Sequence, residues 1–163
     1  MILIALGANL PSPAGTPAET LAKALLMLAQ RDITIEMQSG FYRTAAWPNP
    51  ADPPFINAVA KVRSSLNPAA LLSELHCIEA RFGRKRGIAN APRPLDLDLI
   101  DYDGRVERGP PELPHPRMHT RLFVLCPLRE VAPDWRHPVS GSLVSELIAV
   151  APPADIHAID AAP

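Results

Sequence analysis

Asp96 and Asp98 stand one residue apart in the apolar run "LDLDLI" (95–100), with Arg93 three positions ahead of the first. In an extended strand, alternate side chains share a face, so Leu95, Leu97 and Leu99 point one way and Asp96, Asp98 and Ile100 the other. The two aspartate Cα atoms are then about 6.6 Å apart. Two unit charges at about 6 Å and an effective dielectric of about 20 repel by roughly 3 kcal/mol. A divalent cation between them removes that repulsion, and hard carboxylate oxygens on a rigid strand suit magnesium, which completes its shell with water and phosphate oxygens. Taken alone, the pair also fits the solvated acidic face of an edge strand.

The surroundings favour phosphate chemistry. Arg81, Arg84, Lys85, Arg86 and Arg93 crowd into thirteen residues just before the acids, and the planar guanidinium fork matches phosphate oxygens. A basic loop that merely offsets nearby acids is the plainer alternative. Neither GxxxxGK[ST] nor GxGxxG occurs, so side chains rather than a glycine-rich cradle would hold the phosphates.

The elements that position these residues follow from periodicity. Residues 2–6 are a continuous apolar run closed by Gly7, as in a strand covered on both faces. "TPAE" (16–19) is a helix start, with Thr16 as N-cap, Pro17 in the first turn and Glu19 completing a capping box, and Leu21, Leu25 and Leu28 follow at helical spacing. "ITIEMQSGFYRT" (33–44) alternates as one half-buried strand and "FINAVAKVR" (55–63) as the next. Between them "AAWPNPADPP" (45–54) holds four prolines and reads as a long loop. A second helix starts at Asn67-Pro68, carries Leu71, Leu75, Ile78 and Phe82 on one stripe, and stops at Gly83. The acidic strand follows, and the order matches an α+β fold with a ferredoxin-like βαββαβ core, an antiparallel sheet flanked by helices. Helical pieces around 119–132 and 142–150 are available to flank it further. Asp101 and Asp103 read as turn residues ahead of Gly104, and Tyr42 and Trp135 as packing residues.

The 163 residues, 47% of them hydrophobic, fit a single domain, with 151–163 as a loose Ala/Pro-rich tail. A net charge of −1 gives no global reason to expect nucleic acid or a membrane surface as partner. Cys77 and Cys126 form no close-spaced pair and read as reduced, buried apolar residues of a cytoplasmic protein.

In order along the chain, "ALGANL" (5–10), "FYRT" (41–44), "FINAVA" (55–60), "IEARFGR" (78–84), "PRPLDLDLI" (92–100), "LPHPRM" (113–118) and "RLFVLCPL" (121–128) resemble the motifs of the 6-hydroxymethyl-7,8-dihydropterin pyrophosphokinases of folate biosynthesis. The resemblance implies transfer of the β,γ-diphosphate of ATP to the hydroxymethyl group of the reduced pterin, with release of AMP. It further implies two Mg2+ ions bridged by Asp96 and Asp98, and Arg84 and Arg93 on the phosphates. His76, Glu79, Arg86, His115 and Arg121 would be further ATP-side residues. The pterin would lie between Phe55 and Phe123, with Asn57 and Thr44 on its polar edge and Ala45 and Trp47 beside it. Such an enzyme is expected to act as a monomer on these small substrates.

Two departures from the family pattern stand out. Asn90 and Ala91 occupy the place of a tryptophan in "WGPR", in a loop about one residue short, and Ala45-Ala46 replaces a proline pair, with Trp47 following. Two other classes share some of these features. A metal-dependent nucleotidyltransferase or nuclease would also use a DxD pair, whereas an RNA-binding ferredoxin-like module would expose aromatic residues on its open sheet face.

Overall fold

The computed structural model describes residues 1–47, 49–84 and 92–159. Among these, the order is β1 (Ile2–Ala8), α1 (Pro17–Ala29), β2 (Ile33–Gln38), β3 (Phe41–Thr44), β4 (Phe55–Ser64), α2 (Pro68–Arg81), β5 (Asp96–Tyr102), a 3-10 turn (Met118–Thr120), α3 (Leu122–Val131), α4 (Val144–Val150) and β6 (Ile156–Ile159). The sheet runs β5-β1-β4-β3-β6, with β2 also on β4, and every pairing is antiparallel. This is the expected ferredoxin-like α+β arrangement, extended by one strand.

Local chemistry starts both helices where the sequence predicts. Thr16 Oγ1 accepts the Glu19 N–H at 3.3 Å and Glu19 accepts the Thr16 N–H at 2.7 Å. Asn67 Oδ1 accepts the Ala70 N–H at 2.9 Å. These bonds satisfy donors that the first helical turn leaves unpaired.

The stretch 33–44 is two strands, not one. Ser39 leaves the ladder and bonds β4 in its own way, its N–H donating to the Val59 carbonyl at 2.9 Å and its Oγ accepting the Val59 N–H at 3.0 Å. β2 therefore lies along the Ala60–Ser64 end of β4 and β3 along the Phe55–Asn57 end.

Apolar side chains cover both faces of the sheet. Leu21, Leu25 and Leu28 of α1 and Leu71, Leu75 and Ile78 of α2 bury Ile4, Leu6, Leu97 and Leu99. On the other face Val124, Leu125 and Leu128 of α3 and Val144 and Leu147 of α4 close over Leu3, Val59 and Ile100. That second cover is shorter than the sheet. The ends of β1, β4 and β5 that bear Gly7, Asn57 and Asp96 extend past it.

Three expectations are corrected. Ile156–Ile159, expected to be loose, form β6, with Ile156 opposite Thr44 and Ala158 opposite Tyr42. Asp101 does cap its turn, accepting the Gly104 N–H at 2.9 Å, but it is also buried and accepts Trp135 Nε1–H at 2.7 Å. A register shift between β1 and β5 brings this about: Leu3 pairs with Asp101 and Ile4 with Leu99, so Ile100 is the extra residue and the alternation slips. Cys77 is exposed on α2 and Cys126 half-buried on α3, so neither is a core residue.

Candidate active site

Where α3 stops short, a cavity of about 700 Å3 opens on the sheet. Its floor is Ala5 and Gly7 of β1, Asp96 and Asp98 of β5, Phe55 and Asn57 of β4 and Thr44 of β3; His115, Arg117 and the start of α3, with Arg121 and Phe123, form the opposite wall. Ala45 and Trp47 line it on one side and Pro152–Asp155 on another. A Cβ on Gly7 would lie 3.3 Å from Asn57 Oδ1 and 3.9 Å from Phe55, so the bare glycine keeps the floor open between the acidic and aromatic ends.

At the acidic end Arg84 pairs with both Glu79 and Asp96, and Arg93 Nη1 meets Asp96 Oδ2 at 2.9 Å. Glu79 sits behind the cavity wall, buried on α2, and accepts the Leu97 N–H at 2.8 Å. Burial raises its carboxyl to about 7, against the Leu97 hydrogen bond and Arg84, with Asp96 and Asp98 adding to the rise. Glu79 is thus a strut that fixes the Arg84 guanidinium to β5. Burial, and then the charge of Asp96, raise Asp98 to about 6, although Arg84, Arg121 and Arg93 oppose the shift. Two carboxylates held side by side in this way fit a divalent cation. Among the described residues no cluster of three or more His, Cys, Asp or Glu side chains surrounds a single point. A cation here would therefore share this pair with oxygens of a bound anion and water.

His115 belongs to the same wall. Its Nδ1 accepts the Arg117 N–H at 3.2 Å, which leaves Nε2–H as the ring's donor. Burial, with Arg121 and Arg117 nearby, lowers it to about 4 and keeps the ring neutral. Arg121 lies 5.4 Å from the Phe123 ring centre, a cation–π contact that joins the cationic and aromatic ends.

At the aromatic end Asn57 Nδ2 donates to Thr44 Oγ1 at 2.9 Å, and both residues are buried. The amide oxygen is left to accept from a ligand. Phe55 and Phe123 line the same space, and Trp47, 70% exposed, stands at its rim.

The structure brings together Thr44, Ala45, Trp47, Phe55, Asn57, Arg84, Arg93, Asp96, Asp98, His115, Arg121 and Phe123. His76, half-buried on α2, and Glu79 are not among the lining residues. Arg86, Asn90 and the altered stretch 85–91 lie outside the described residues. Sequence reasoning missed Arg117, Thr120 and Pro152–Asp155 in the walls. Arg117 lay inside a quoted motif, whereas no local signal marks the C-terminal wall.

Similarity to known proteins shows the family. The sequence model of the 7,8-dihydro-6-hydroxymethylpterin-pyrophosphokinase (HPPK) family matches residues 3–133. A 2-amino-4-hydroxy-6-hydroxymethyldihydropteridine pyrophosphokinase of Synechocystis sp. is 42% identical over 148 residues, which is 90% of this chain and 73% of that protein. One from Haemophilus influenzae is 38% identical over 147 residues, 89% of each chain. A solved HPPK-DHPS in complex with substrates superposes on 91% of this chain with a TM-score of 0.69; at 11% identity it attests the fold, and the match spans 42% of that longer chain. The chain belongs to the 7,8-dihydro-6-hydroxymethylpterin-pyrophosphokinase family.

Proposed function

We propose that the cavity is the site at which this chain performs the family's reaction, and that its two ends divide the work. The activity itself follows from family membership: diphosphate passes from ATP to 6-hydroxymethyl-7,8-dihydropterin, giving the pterin diphosphate and AMP, in folate biosynthesis. The hydroxymethyl oxygen bonds to the β-phosphorus and gives up its proton to solvent, the bond from the β-phosphorus to the α,β-bridging oxygen breaks, and AMP leaves with that oxygen.

The observation that carries the reading is one continuous cavity with Asp96, Asp98, Arg84, Arg93, His115 and Arg121 toward one end and Thr44, Phe55, Asn57 and Phe123 toward the other. Asn57 Oδ1 and the Thr44 hydroxyl meet the polar edge of a pterin, whose faces suit two phenyl rings. Arg84, Arg93 and Arg121 hold phosphate oxygens, and His115 donates Nε2–H to one of them. Two Mg2+ ions held by Asp96 and Asp98 with the phosphates would neutralise charge as the bond breaks. No nucleophilic side chain is required, because such a transfer needs alignment and charge neutralisation.

Action as a monomer is part of the same proposal, and two thiols without a disulfide framework fit the cytoplasm. Among the described residues no helix is long and apolar enough to cross a membrane.

Incubation with ATP, Mg2+ and the reduced pterin, followed by phosphorus NMR, tests the reading. AMP and pterin diphosphate are expected in equal amounts. ADP as the product, or ATP cleavage at the same rate without pterin, would contradict it.

A further inference from the structure

Asn9 follows β1 directly, is 2% exposed, and is not among the residues that line the cavity. Its backbone N–H and that of Leu10 both donate to the Arg93 carbonyl, at 3.1 and 3.3 Å. Its side-chain oxygen accepts the Arg93 N–H at 2.8 Å, while its side-chain nitrogen donates to the Pro53 carbonyl at 3.0 Å. One buried amide therefore uses its acceptor on the residue whose guanidinium meets Asp96 and its donor on a carbonyl two residues before Phe55. These partners lie 84 and 44 residues away in the chain. A residue that only filled the turn after β1 would need no amide. A serine or an aspartate would serve the Arg93 side alone.

We propose that Asn9 is a positioning residue that sets the spacing between the phosphate end, through Arg93, and the pterin end, through the Pro53–Phe55 approach. Immobilising Arg93 on a bound polyphosphate then steadies the proline-rich loop beside the aromatic end. The inference rests on the functional reading above for the identity of the two ends. Its consequence is a penalty on alignment, since a displacement of about 1 Å between reacting groups costs about 100-fold in rate.

Hydrogen exchange with and without a non-hydrolysable ATP analogue and Mg2+, combined with steady-state kinetics, tests this in the parent, Asn9→Ala and Asn9→Asp. In the parent the analogue is expected to slow amide exchange across residues 49–55. Asn9→Ala abolishes that response and lowers kcat about 10- to 100-fold, while affinity for the analogue changes by less than about threefold, a difference under ~0.7 kcal/mol. Asn9→Asp keeps the acceptor for Arg93 and loses the donor to Pro53. It too loses the exchange response with analogue affinity retained, and it carries the test if the alanine variant does not fold. A response at 49–55 that persists in the variants overturns the proposal, as does an unchanged kcat in a variant that has lost it. If the parent binds the analogue but releases no pterin-dependent AMP, the functional reading falls, while the exchange response still decides the coupling.

Discussion

Asp96 accepts ion pairs from two arginines that both precede it in the chain, Arg84 just past the end of α2 and Arg93 on the approach to β5. The guanidinium groups are thereby parked beside the carboxylates before any phosphate arrives. His115 completes the wall as a neutral donor, and that state has a measurable consequence. Its folded-state value of about 4 lies below the ordinary 6.5, so protons bind the unfolded chain more readily. This contribution to stability is whole above 6.5 and is lost as pH falls through that window to about 4, where it levels off. Thermal melts of His115→Gln across that range are therefore expected to show a shallower loss than the parent, by up to about one proton in the slope. Parallel curves would show that His115 is charged in the fold. At this scale Asp96, Asp98, Arg84 and Arg93 were legible from residue type and spacing, whereas Arg121 came through the family motifs and Arg117 was missed. Thr44, Phe55, Asn57 and Phe123 came only through the family motifs, since a lone phenylalanine at a strand or helix end reads as core. Asn9 stood within a quoted motif, yet its partners are set by the fold, and nothing local reveals them.

Among the elements, the capped helices and β1, β4 and β5 follow from apolar periodicity and N-cap chemistry, and the structure reproduces them to within a few residues. The failures are equally physical. Alternation continues through Ser39-Gly40, so 33–44 reads as one strand, and only the Ser39 bonds to Val59 show the break. Strand β6 is short and flanked by Ala and Pro, and its stability comes from pairing with β3 rather than from its own sequence. Because Ile156 is opposite Thr44, and Pro152–Asp155 line the cavity, this strand belongs to the site as well as to the sheet. Removal of residues 152–163 is expected to raise the pterin KM roughly fivefold, the equivalent of about 1 kcal/mol, with a smaller effect on the ATP KM. An ATP KM that rises while the pterin KM holds would contradict this placement of β6.

Taken whole, the molecule separates stability from chemistry. Two apolar clusters, one on each face of the sheet, hold the fold, while the reactive groups occupy the end of one face that α3 leaves bare. The second cluster was the less legible of the two, because α3 contains Pro127 and α4 has only seven residues, so neither has the long periodic stripe of α1 and α2. The net charge of −1 likewise conceals a strongly polarised site, with Arg84, Arg93, Arg117 and Arg121 lining the same cavity as Asp96 and Asp98. This separation means that the acids can be neutralised without opening a core. The most direct measurement is pterin-dependent AMP release by Asp96→Asn and Asp98→Asn beside the parent, with a thermal melt of each protein. AMP release is expected to fall about 100-fold or more in both, with melting temperatures at or near the parent's for Asp98→Asn, whose buried charge is lost. Parental AMP release from either folded variant would contradict the assignment of the two carboxylates to the reaction.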